Sequence, residues 1–408
     1  MWRVCTRCCV NTAQDTRITP SPCGWLIPIC AGVPVDHVAA RADRIVLVLP
    51  SLERGGGERV LLQLAGLFLT AGREVHVVTL IGGGALRSLV PAGVTLHELI
   101  DGGDPPKGLA LAWKAYPRLI SLVRKTKPHA VLSTMTGTNL LAVLACKRAR
   151  VRIRLVLREA ASLVNAKGFL KRQAMRWLYG LADGIVAVSA GVAQDLRKLG
   201  LPHDRIHVIR NPVDVERLRY LAEVGPSLSR HVDESYVATL GRLAEQKDHA
   251  TLLHAYAASA LRASHRLVIV GEGEEHEKLL WLVKELGLTD RVEFTGAMDN
   301  PYHVLANAKL HVLSSRWEGY PNVLLEALAL GVPVVSTDCP HGPREILDDG
   351  RYGRLVPVAD CAILARAMDA ELKQPASGVD AVLATHRPQV VASRYLALLD
   401  GGVGEEQS

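Results

Sequence analysis

A chain of 408 residues, 49% of them hydrophobic, is long enough for two domains, each with its own core. Residues 1–210 carry 29 Lys and Arg against 13 Asp and Glu, whereas residues 211–408 carry 19 against 28, so the net charge of +7 hides a basic half and an acidic half. The basic half has no nucleic-acid motif and no aromatic residues interleaved with its cations. We therefore exclude nucleic acid as a partner and expect an anionic membrane surface instead.

The first 43 residues differ from the rest of the chain. They hold five of the eight cysteines, and four prolines interrupt the uncharged segment 18–35, which argues against a membrane-spanning helix there. Cys5-x-x-Cys8 has no second pair of ligands at the spacing of a zinc site, so we predict no metal site. We expect residues 1–43 to form a disordered extension and the fold to begin at Arg44.

From Arg44 onward, apolar runs alternate with amphipathic stretches. Strands are predicted at 45–49, 74–80, 130–133, 154–157, 184–188 and 206–209, and helices at 58–71, 111–125, 137–147, 169–181 and 191–199. This alternation indicates a doubly wound parallel sheet. We predict a Rossmann-like domain over 44–210 and a linker over 211–235.

The second half repeats the pattern. Strands are predicted at 236–240, 266–270, 291–294, 308–313 and 332–336, and helices at 247–261, 274–286, 322–330 and 362–373. These elements predict a second Rossmann-like domain over 236–387. A terminal helix over 388–400 and a disordered tail over 401–408 follow.

Two glutamates mark the strand–loop–helix–strand unit over 308–336. Glu318 lies in the loop, and Glu326 lies one turn into the helix. The backbone N–H groups expected at the helix N-terminus, a seat for a diphosphate, are those of Tyr320, Asn322, Val323 and Leu324. Carboxylates repel phosphate, so these two suit neutral hydroxyl groups on either side of it. Hydroxyls flanking a diphosphate describe a nucleotide sugar.

Glu318, seven residues and Glu326, with GYPNVLLEALALGVPVV between and after, resemble the Glu-x7-Glu motif of retaining GT-B glycosyltransferases of family four. The resemblance covers about 44–399. It implies an α/β GT-B fold: two Rossmann-like, doubly wound domains with a central cleft, the first binding the acceptor and the second the nucleotide sugar. The last helix is expected to cross back to the first domain. Glu326 would hold the ribose hydroxyls and Glu318 the donor sugar, and anomeric configuration would be retained.

Arg242 and Lys247 bracket the loop after the first strand of the second half. Two fixed cations there can neutralise a departing diphosphate, which a divalent metal does in other enzymes. The segment that begins at Gly241 also resembles the GRL-x3-K element of the same family. No Asp-x-Asp motif occurs in the chain, so we predict transfer without a metal and without a cofactor.

Two further turns in the second half follow predicted strands. Gly271-x-Gly273 precedes a helix, as a nucleotide-facing turn should, although this pattern alone is common. Thr295-Gly296 follows the next strand and, in proteins of this type, lies near the base. We include Gly241 and these four residues in the expected donor site.

In the first half, Gly56, Gly57 and Glu58 follow the first strand and open a helix whose positive end suits an anion. The loop resembles the GG-x-ER element of relatives that build bacterial surface saccharides, where it faces the donor diphosphate and the acceptor. Arg158 follows another strand and resembles a cleft position that contacts sugars. Structural salt-bridging is an equal alternative for Arg158 and its neighbour Glu159.

The implied activity is transfer of a hexose or N-acetylhexosamine from a nucleotide-diphosphate donor, with UDP favoured. The string from Thr337 to Ile346, which includes His341, resembles enzymes that extend polyprenyl-diphosphate-linked oligosaccharides, so we expect a lipid-linked or other glycan acceptor. Three alternatives remain: a sugar-nucleotide 2-epimerase of the same fold, a non-catalytic subunit that binds nucleotide sugars, and a Rossmann oxidoreductase. The Gly-x-Gly-x-x-Gly fingerprint of the last is not matched.

Two basic amphipathic stretches favour a surface role for the first half. One carries Trp113 among Lys114, Arg118, Arg124, Lys125 and Lys127, and the other carries Phe169, Leu170 and Trp177 among Lys167, Lys171, Arg172 and Arg176. Such stretches suit docking on anionic lipid. We expect a cytoplasmic protein that lies peripherally on the inner face of the cell membrane.

Overall fold

The computed structural model describes residues 43–163, 168–226 and 234–402. The expected N-terminal extension, with Cys5 and Cys8, the tail beyond Gly402 and Lys167 lie outside these residues. Two parallel sheets dominate the described chain. This confirms the predicted α/β fold with two Rossmann-like domains.

The first sheet has seven strands in the order β3-β2-β1-β4-β5-β6-β7. Its strands are β1 (Arg44–Leu49), β2 (Glu74–Ile81), β3 (Thr95–Ile100), β4 (Ala130–Thr134), β5 (Arg154–Glu159), β6 (Gly184–Ala187) and β7 (Ile206–Val208). The helices around it are α1 (Gly56–Thr70), α2 (Gly108–Thr126), α3 (Thr136–Ala149), α4 (Phe169–Tyr179) and α5 (Ala190–Lys198). Central strands such as β1 are buried on both faces, as their continuous apolar runs require.

The second sheet has six strands in the order β10-β9-β8-β11-β12-β13. Its strands are β8 (Tyr236–Leu240), β9 (Arg266–Val270), β10 (Val292–Gly296), β11 (Leu310–Leu313), β12 (Val334–Thr337) and β13 (Arg354–Val356). Helix α6 (Val215–Val224) precedes β8. The helices that follow β8 are α7 (His249–Ala258), α8 (His276–Glu285), α9 (Tyr302–Asn307), α10 (Asn322–Ala329), α11 (Pro343–Ile346), α12 (Cys361–Lys373), α13 (Asp380–Thr385) and α14 (Pro388–Asp400).

The region predicted as a linker contains helix α6. Asp214 caps this helix, its carboxylate accepting from Arg217 N–H, and Leu218 and Ala222 bury its apolar side. The helix packs on α9 and α10 of the second domain. The sequence analysis did not identify this helix because most of its residues are polar or charged and only a narrow stripe of its surface is apolar.

Helix α14 packs on the first domain although it follows the second in sequence. Val391, Tyr395 and Leu399 join the same apolar cluster as Ile45 and Leu47 of β1. Arg154 Nε at the start of β5 also donates to the Leu398 carbonyl at 2.5 Å. The chain therefore connects the two sheets twice, once before α6 and once before α14.

Candidate active site between the two sheets

Lys247 and Glu318 form an ion pair at the C-terminal edge of the second sheet. Lys247 ends the short turn that follows β8, and Glu318 lies between β11 and α10. The Lys247 Nζ atom lies 2.6 Å from Glu318 Oε1, and the two side chains are only 19% and 7% exposed. Partial burial strengthens this attraction relative to that of a surface pair. The ammonium group is therefore held in one place.

The two oxygens of the Glu318 carboxylate differ in their hydrogen-bond partners. Ser315 Oγ donates to Oε1 at 2.7 Å in addition to the ion pair, whereas Gln246 Nε2 approaches Oε2 only to 3.4 Å. The Glu318 backbone is fixed as well, since its N–H donates to the Pro340 carbonyl and its carbonyl accepts from His341 N–H. Oε2 is thus the oxygen with capacity left for a further hydrogen bond.

Gly241 and Arg242 follow β8 directly. A Cβ on Gly241 would lie 3.2 Å from Lys247 Cε, so the glycine leaves room for the lysine side chain. Arg242 is exposed. Burial raises the pKa of Glu58 in the first domain, and the charges of Arg158 and Arg242 oppose this rise. Arg242 therefore acts electrostatically across the cleft.

The predicted diphosphate seat lies at the start of α10. Because the first N–H groups of a helix lack intrahelical partners, those of Asn322 and Val323 are directed out of the helix start. The Leu324 N–H instead donates to the Pro321 carbonyl at 3.0 Å. The Leu324 N–H is thus engaged within the first turn of α10, and its role in the seat stays a prediction.

Tyr320 precedes α10 and anchors the loop that leads into it. Its buried hydroxyl bonds the His386 ring, and the two rings stack. Burial lowers the pKa of His386 to about 4, so this ring is neutral at physiological pH. The side chain of Tyr320 thus has a structural role, separate from the one predicted for its amide.

Asn322 ties the mouth of α10 to the first domain. Its Oδ1 accepts from Asn211 Nδ2 at 2.7 Å, and its Nδ2 lies 3.5 Å from the carbonyl of Gly56, the first residue of α1. A Cβ on Gly56 would lie 3.2 Å from the same amide nitrogen. The starts of α1 and α10 therefore face each other at short range.

Glu326 faces a cavity of about 460 Å³ that Arg59, Asn322 and Tyr302 also line. Tyr302 Oη donates to Glu326 Oε1 at 3.1 Å. Burial raises the pKa of Glu326, whereas the tyrosine hydrogen bond and the Arg59 charge oppose the rise. Because Tyr302 donates to Oε1, the other oxygen of Glu326, Oε2, is left to accept hydrogen bonds from hydroxyl groups.

The glycines after β9 have a packing role of their own. A Cβ on Gly271 would lie 1.9 Å from the Gly241 carbonyl oxygen, and one on Gly273 would lie 2.2 Å from that of Leu243. The loops after β8 and β9 can approach so closely only without side chains. Close packing explains both glycines whether or not a ligand binds.

Thr295 and Gly296 end β10 beside these loops. The Gly296 carbonyl accepts from Gly271 N–H at 2.9 Å and from Thr295 Oγ1 at 2.9 Å. Gly296 has φ of 74°, a conformation that favours glycine. The structure therefore places all predicted donor-side turns on one edge of the second sheet.

On the opposite side of the cleft, Glu58 lies buried in the first turn of α1. Its carboxylate folds back over Gly55, where a Cβ would lie 2.1 Å from Glu58 Oε2. Burial raises the pKa of Glu58, whereas its own N–H and the charges of Arg158 and Arg242 lower it. Gly57 lies beside Glu58, and a Cβ there would lie 3.8 Å from Arg158 Nη1.

Arg158 is not on the open surface of the cleft. Its side chain is fully buried and donates to Thr134 Oγ1 at 3.0 Å and to Asn211 Oδ1 at 2.6 Å. Glu159, also buried, accepts from Tyr179 Oη at 2.7 Å instead of pairing with a cation. Arg158 therefore holds the Asn211 side chain in place. Because Arg158 is buried, its position does not by itself predict a direct contact with the acceptor.

A cluster of contacts that the sequence did not reveal joins the domains beside Glu318. His341 Nε2 lies 2.8 Å from Asp195 Oδ2 in α5, and Glu345 Oε1 accepts from Gly191 N–H at 3.2 Å. A Cβ on Gly191 would lie 2.1 Å from His341 Nδ1. We call these four residues the interdomain clasp. Nothing in the sequence around Asp195 distinguishes it from any exposed helical acid.

An ion pair also spans the other side of the cleft. Arg54 Nη2 lies 2.8 Å from Asp299 Oδ1, with side chains 43% and 83% exposed. Such an exposed pair contributes little stability. It does show that the loop before α1 reaches the loop after β10.

One group of potential metal ligands occurs in the described residues, away from this cleft. Asp43, His129 and Asp400 lie close together before β1, near β4 and at the end of α14. Arg73 donates to both aspartates, at 2.8 and 2.6 Å. The Arg73 guanidinium already occupies one oxygen of each carboxylate.

Helices α2, α3 and α4 pack side by side on one face of the first sheet and expose large apolar side chains. The most exposed of them are Leu109 (90%), Trp113 (83%), Phe169 (74%), Leu170 (82%) and Trp177 (75%). We call these five residues the apolar patch. Exposed Lys114, Lys171, Arg172 and Arg176 accompany it, whereas Arg118 and Arg124 donate to backbone carbonyls. Among the described helices, none is both long enough and apolar enough to cross a bilayer.

Two family models match the chain, one in each domain. Residues 54–217 match Glycosyltransferase Family 4, and residues 234–374 match Glycosyl transferases group 1. Of the solved structures, the outer core galactosyltransferase WaaB has a TM-score of 0.66 at 20% identity, covering 87% of this chain and 98% of WaaB. Anabaena HepE with UDP and glucose has a TM-score of 0.67 at 20% identity, covering 86% and 95%. These likenesses show the fold.

Relatives of known name agree with the family models. The chain is 29% identical over 327 residues to a Campylobacter jejuni N-acetylgalactosaminyltransferase named for a diphospho-undecaprenol acceptor, covering 78% of this chain and 86% of that enzyme. It is 35% identical over 187 residues to the Rhizobium meliloti lipopolysaccharide core glycosyltransferase LpsE, covering 46% of this chain and 53% of LpsE.

The two sheets and the cleft between them have the GT-B fold, and the family matches and named relatives indicate a glycosyltransferase. More particularly, the first domain is similar to the Glycosyltransferase Family 4 model and the second to the Glycosyl transferases group 1 model. Its relatives include enzymes of lipopolysaccharide and polyprenyl-linked glycan synthesis.

Proposed function

We propose that this protein transfers a hexose or N-acetylhexosamine from a nucleotide-diphosphate donor, UDP-sugar being favoured, to a lipid-linked or surface glycan. The observation that carries the proposal is the Lys247–Glu318 pair. It places a fixed cation and a carboxylate with a free oxygen on the sheet edge from which α10 starts. A departing diphosphate needs the first group, and a sugar hydroxyl needs the second.

In this scheme Arg242, Lys247 and the Asn322 and Val323 amides stabilise the diphosphate as the anomeric bond breaks. These groups supply the positive charge that a metal ion provides in other enzymes, so we propose that transfer requires no metal. Glu326 accepts hydrogen bonds from the ribose hydroxyls. Thr295, Gly296 and the turn at Gly271 and Gly273 form the wall next to the base.

We propose retention of the anomeric configuration by displacement on the face from which the diphosphate leaves. The acceptor oxygen bonds to the anomeric carbon as the carbon–phosphate oxygen bond breaks, and the acceptor proton passes to the departing diphosphate. Glu318 Oε2 positions the donor sugar and need not take the proton. Gly56, Gly57 and Glu58 line the acceptor side opposite.

The acceptor class rests on the relatives. Two Campylobacter jejuni enzymes among them are named for undecaprenyl-diphosphate-linked acceptors. An acceptor anchored by a polyprenyl chain would present its sugars next to a bilayer. We propose that the apolar patch and its lysines and arginines dock on the anionic inner face of the cell membrane, with the protein on the cytoplasmic side.

A donor screen tests the proposal. Purified protein is incubated with UDP-, GDP- and ADP-linked sugars, with and without a polyprenyl-diphosphate saccharide, and nucleotide diphosphate release is measured with and without EDTA. We expect acceptor-dependent release that EDTA does not abolish. Conversion of the donor to its 2-epimer without acceptor, detected by mass spectrometry and NMR, would instead establish the epimerase alternative. Donor binding without turnover would establish the non-catalytic one.

A further inference from the structure

A second cavity, of about 600 Å³, opens at the edge of the first sheet, and the donor site does not use it. Glu53, Gly83, Arg87, Glu98, Gly103 and Arg118 are among the residues that line it. We call it the edge pocket. The loops that form it follow β2 and β3, so it lies on the same C-terminal edge as the Gly56–Glu58 loop after β1.

The distance between the edge pocket and the cleft follows from the strand order. Strand β3 is two strands from β1, and neighbouring strands lie ~4.8 Å apart, so the lateral offset is about 10 Å. Glu53, in the loop between β1 and α1, borders the pocket, and the next residue, Arg54, pairs with Asp299 across the cleft. A ligand that starts at the cleft can reach the pocket along this edge, provided that it is a short chain.

The lining is polar and its geometry is fixed. Arg87 Nη1 donates to both oxygens of Glu98, at 2.8 and 2.7 Å, and Gly83 N–H donates to Oε1 at 2.7 Å. The Arg118 guanidinium donates to the Leu99 carbonyl. Both cations of the pocket are therefore engaged by the protein.

Charge then decides which ligand fits. Three acids, Glu53, Glu98 and Asp101, line the pocket together with two arginines. Because Arg87 and Gly83 already donate to Glu98, the carboxylates of Glu53 and Asp101 are the ones that remain for a ligand. A phosphate or diphosphate would be repelled, and an apolar ligand would strip water from the carboxylates without replacing their hydrogen bonds. Hydroxyl and N-acetyl groups of a neutral sugar provide the donors that carboxylates and backbone carbonyls accept.

We propose that the edge pocket binds a neutral sugar of the glycan acceptor, away from the hydroxyl that reacts. The proposal rests on the proposed function and deepens it, because it states that the acceptor is an oligosaccharide. A monosaccharide acceptor in the cleft would leave the pocket empty. The pocket would thus make the enzyme prefer longer acceptors.

Gly103 offers a way to block the pocket without damaging the fold. A Cβ on this glycine meets no atom within 4 Å, so a side chain introduced there starts in open space at the lining of the cavity. Gly103→Phe is the blocking variant, and Gly103→Ala is its matched control. Glu98→Gln removes the charge of the carboxylate to which Gly83 and Arg87 donate. Arg351→Ala, which breaks an ion pair with Asp348 in the second domain, controls for the loss of a surface ion pair.

The experiment compares kcat/KM for polyprenyl-diphosphate-linked mono-, di- and trisaccharides. We expect the wild-type value to rise at least tenfold from mono- to trisaccharide, and Gly103→Phe and Glu98→Gln to lose this rise. Their monosaccharide kcat/KM and donor KM should stay within twofold of wild type. A rise that persists in Gly103→Phe, or wild-type turnover that does not depend on acceptor length, overturns the edge pocket while leaving the proposed function intact.

The pocket can also be tested if no lipid-linked acceptor turns over, an outcome that counts against the proposed function. Saturation-transfer NMR then measures binding of free N-acetylhexosamine trisaccharides to the full chain. A signal that wild type and Gly103→Ala give and Gly103→Phe loses supports the pocket. Equal signals from all three proteins, or none from wild type, overturn it.

Discussion

Lys247 neutralises Glu318 in this structure, with 2.6 Å between Nζ and Oε1. In the proposed mechanism the pair has two roles that oppose each other once a donor binds. A diphosphate attracts the ammonium group, and a sugar hydroxyl competes for the carboxylate. Donor binding therefore exchanges one set of hydrogen bonds for another: the ammonium group gains the diphosphate, and the Glu318 carboxylate exchanges its counter-charge for hydroxyl hydrogen bonds.

Substitution of Lys247 should change both the folding stability and the rate of transfer, and the two effects can be measured separately. In Lys247→Met the nearly buried Glu318 carboxylate keeps Ser315 and Gln246 but loses its counter-charge, which should destabilise the fold by about 2 kcal/mol. Loss of a cation at the leaving group should lower kcat by ~10²–10³-fold. Chemical denaturation and acceptor-dependent nucleotide release measure the two effects.

The double variant Lys247→Met/Glu318→Gln provides the control. A neutral amide no longer needs the ammonium group, so the free energy of unfolding should recover most of its loss while turnover stays low. If turnover recovered together with stability, Lys247 would have no part in the leaving-group step.

Glu326→Gln should make the protein more stable and less functional. Burial raises the pKa of Glu326 in the folded state, so the charged carboxylate reduces stability once pH exceeds its unfolded value of ~4.3. The glutamine keeps an acceptor for Tyr302 and carries no charge. We therefore expect a higher Tm than wild type at pH 7.5 and no difference near pH 4.

The same variant should bind the donor about tenfold more weakly, since it replaces charge-assisted hydrogen bonds to the ribose with neutral ones. Calorimetry with UDP on both proteins measures this. Unchanged UDP affinity would remove Glu326 from the donor site, whatever the Tm shows.

The order of the predicted elements could be obtained from the sequence because central strands of a parallel sheet are continuous apolar runs. Strand β3 was missed since it lies at the sheet edge, and Thr95 and Glu98 in it are exposed. Helix α6 was missed for the related reason that most of its surface is polar. Both elements face solvent, where apolar periodicity is weakest.

The sequence predicted the chemistry of individual motifs but not the hydrogen bonds that join them. Arg158, Asn211 and Asn322 form one hydrogen-bonded line, yet they are 53 and 111 positions apart in sequence. Local sequence indicated that Arg158 follows a strand on the cleft edge. Whether a side chain there is exposed or buried depends on what packs above it, and only the folded structure supplies that.

The interdomain clasp should position Glu318 through His341, whose backbone N–H donates to the Glu318 carbonyl. His341→Ala removes the ring contact with Asp195, so we expect kcat to fall about tenfold with donor KM changed less than twofold. His341→Gln retains a side-chain N–H donor and should recover part of kcat. Steady-state kinetics on both variants gives the comparison.

Gly191→Ala tests the clasp from the other domain. The added Cβ would lie 2.1 Å from His341 Nδ1, so the ring must move away from Asp195. Combined with His341→Ala, the glycine substitution should have little further effect on kcat, because the ring that it displaces is absent. Additive losses in the double variant would show that the two residues act independently.

The apolar patch should mediate membrane binding that depends on anionic lipid. Trp177→Ala should reduce co-sedimentation of the full chain with phosphatidylglycerol vesicles, and each of Lys171→Gln and Arg172→Gln should weaken binding about fivefold, since a basic residue near such a surface contributes ~1 kcal/mol. The matched control is Trp281→Ala. Trp281 is 61% exposed on α8 of the second domain, outside the basic surface. Equal losses in the two tryptophan variants, or equal binding to neutral phosphatidylcholine vesicles, would mean that the patch does not dock on anionic membranes.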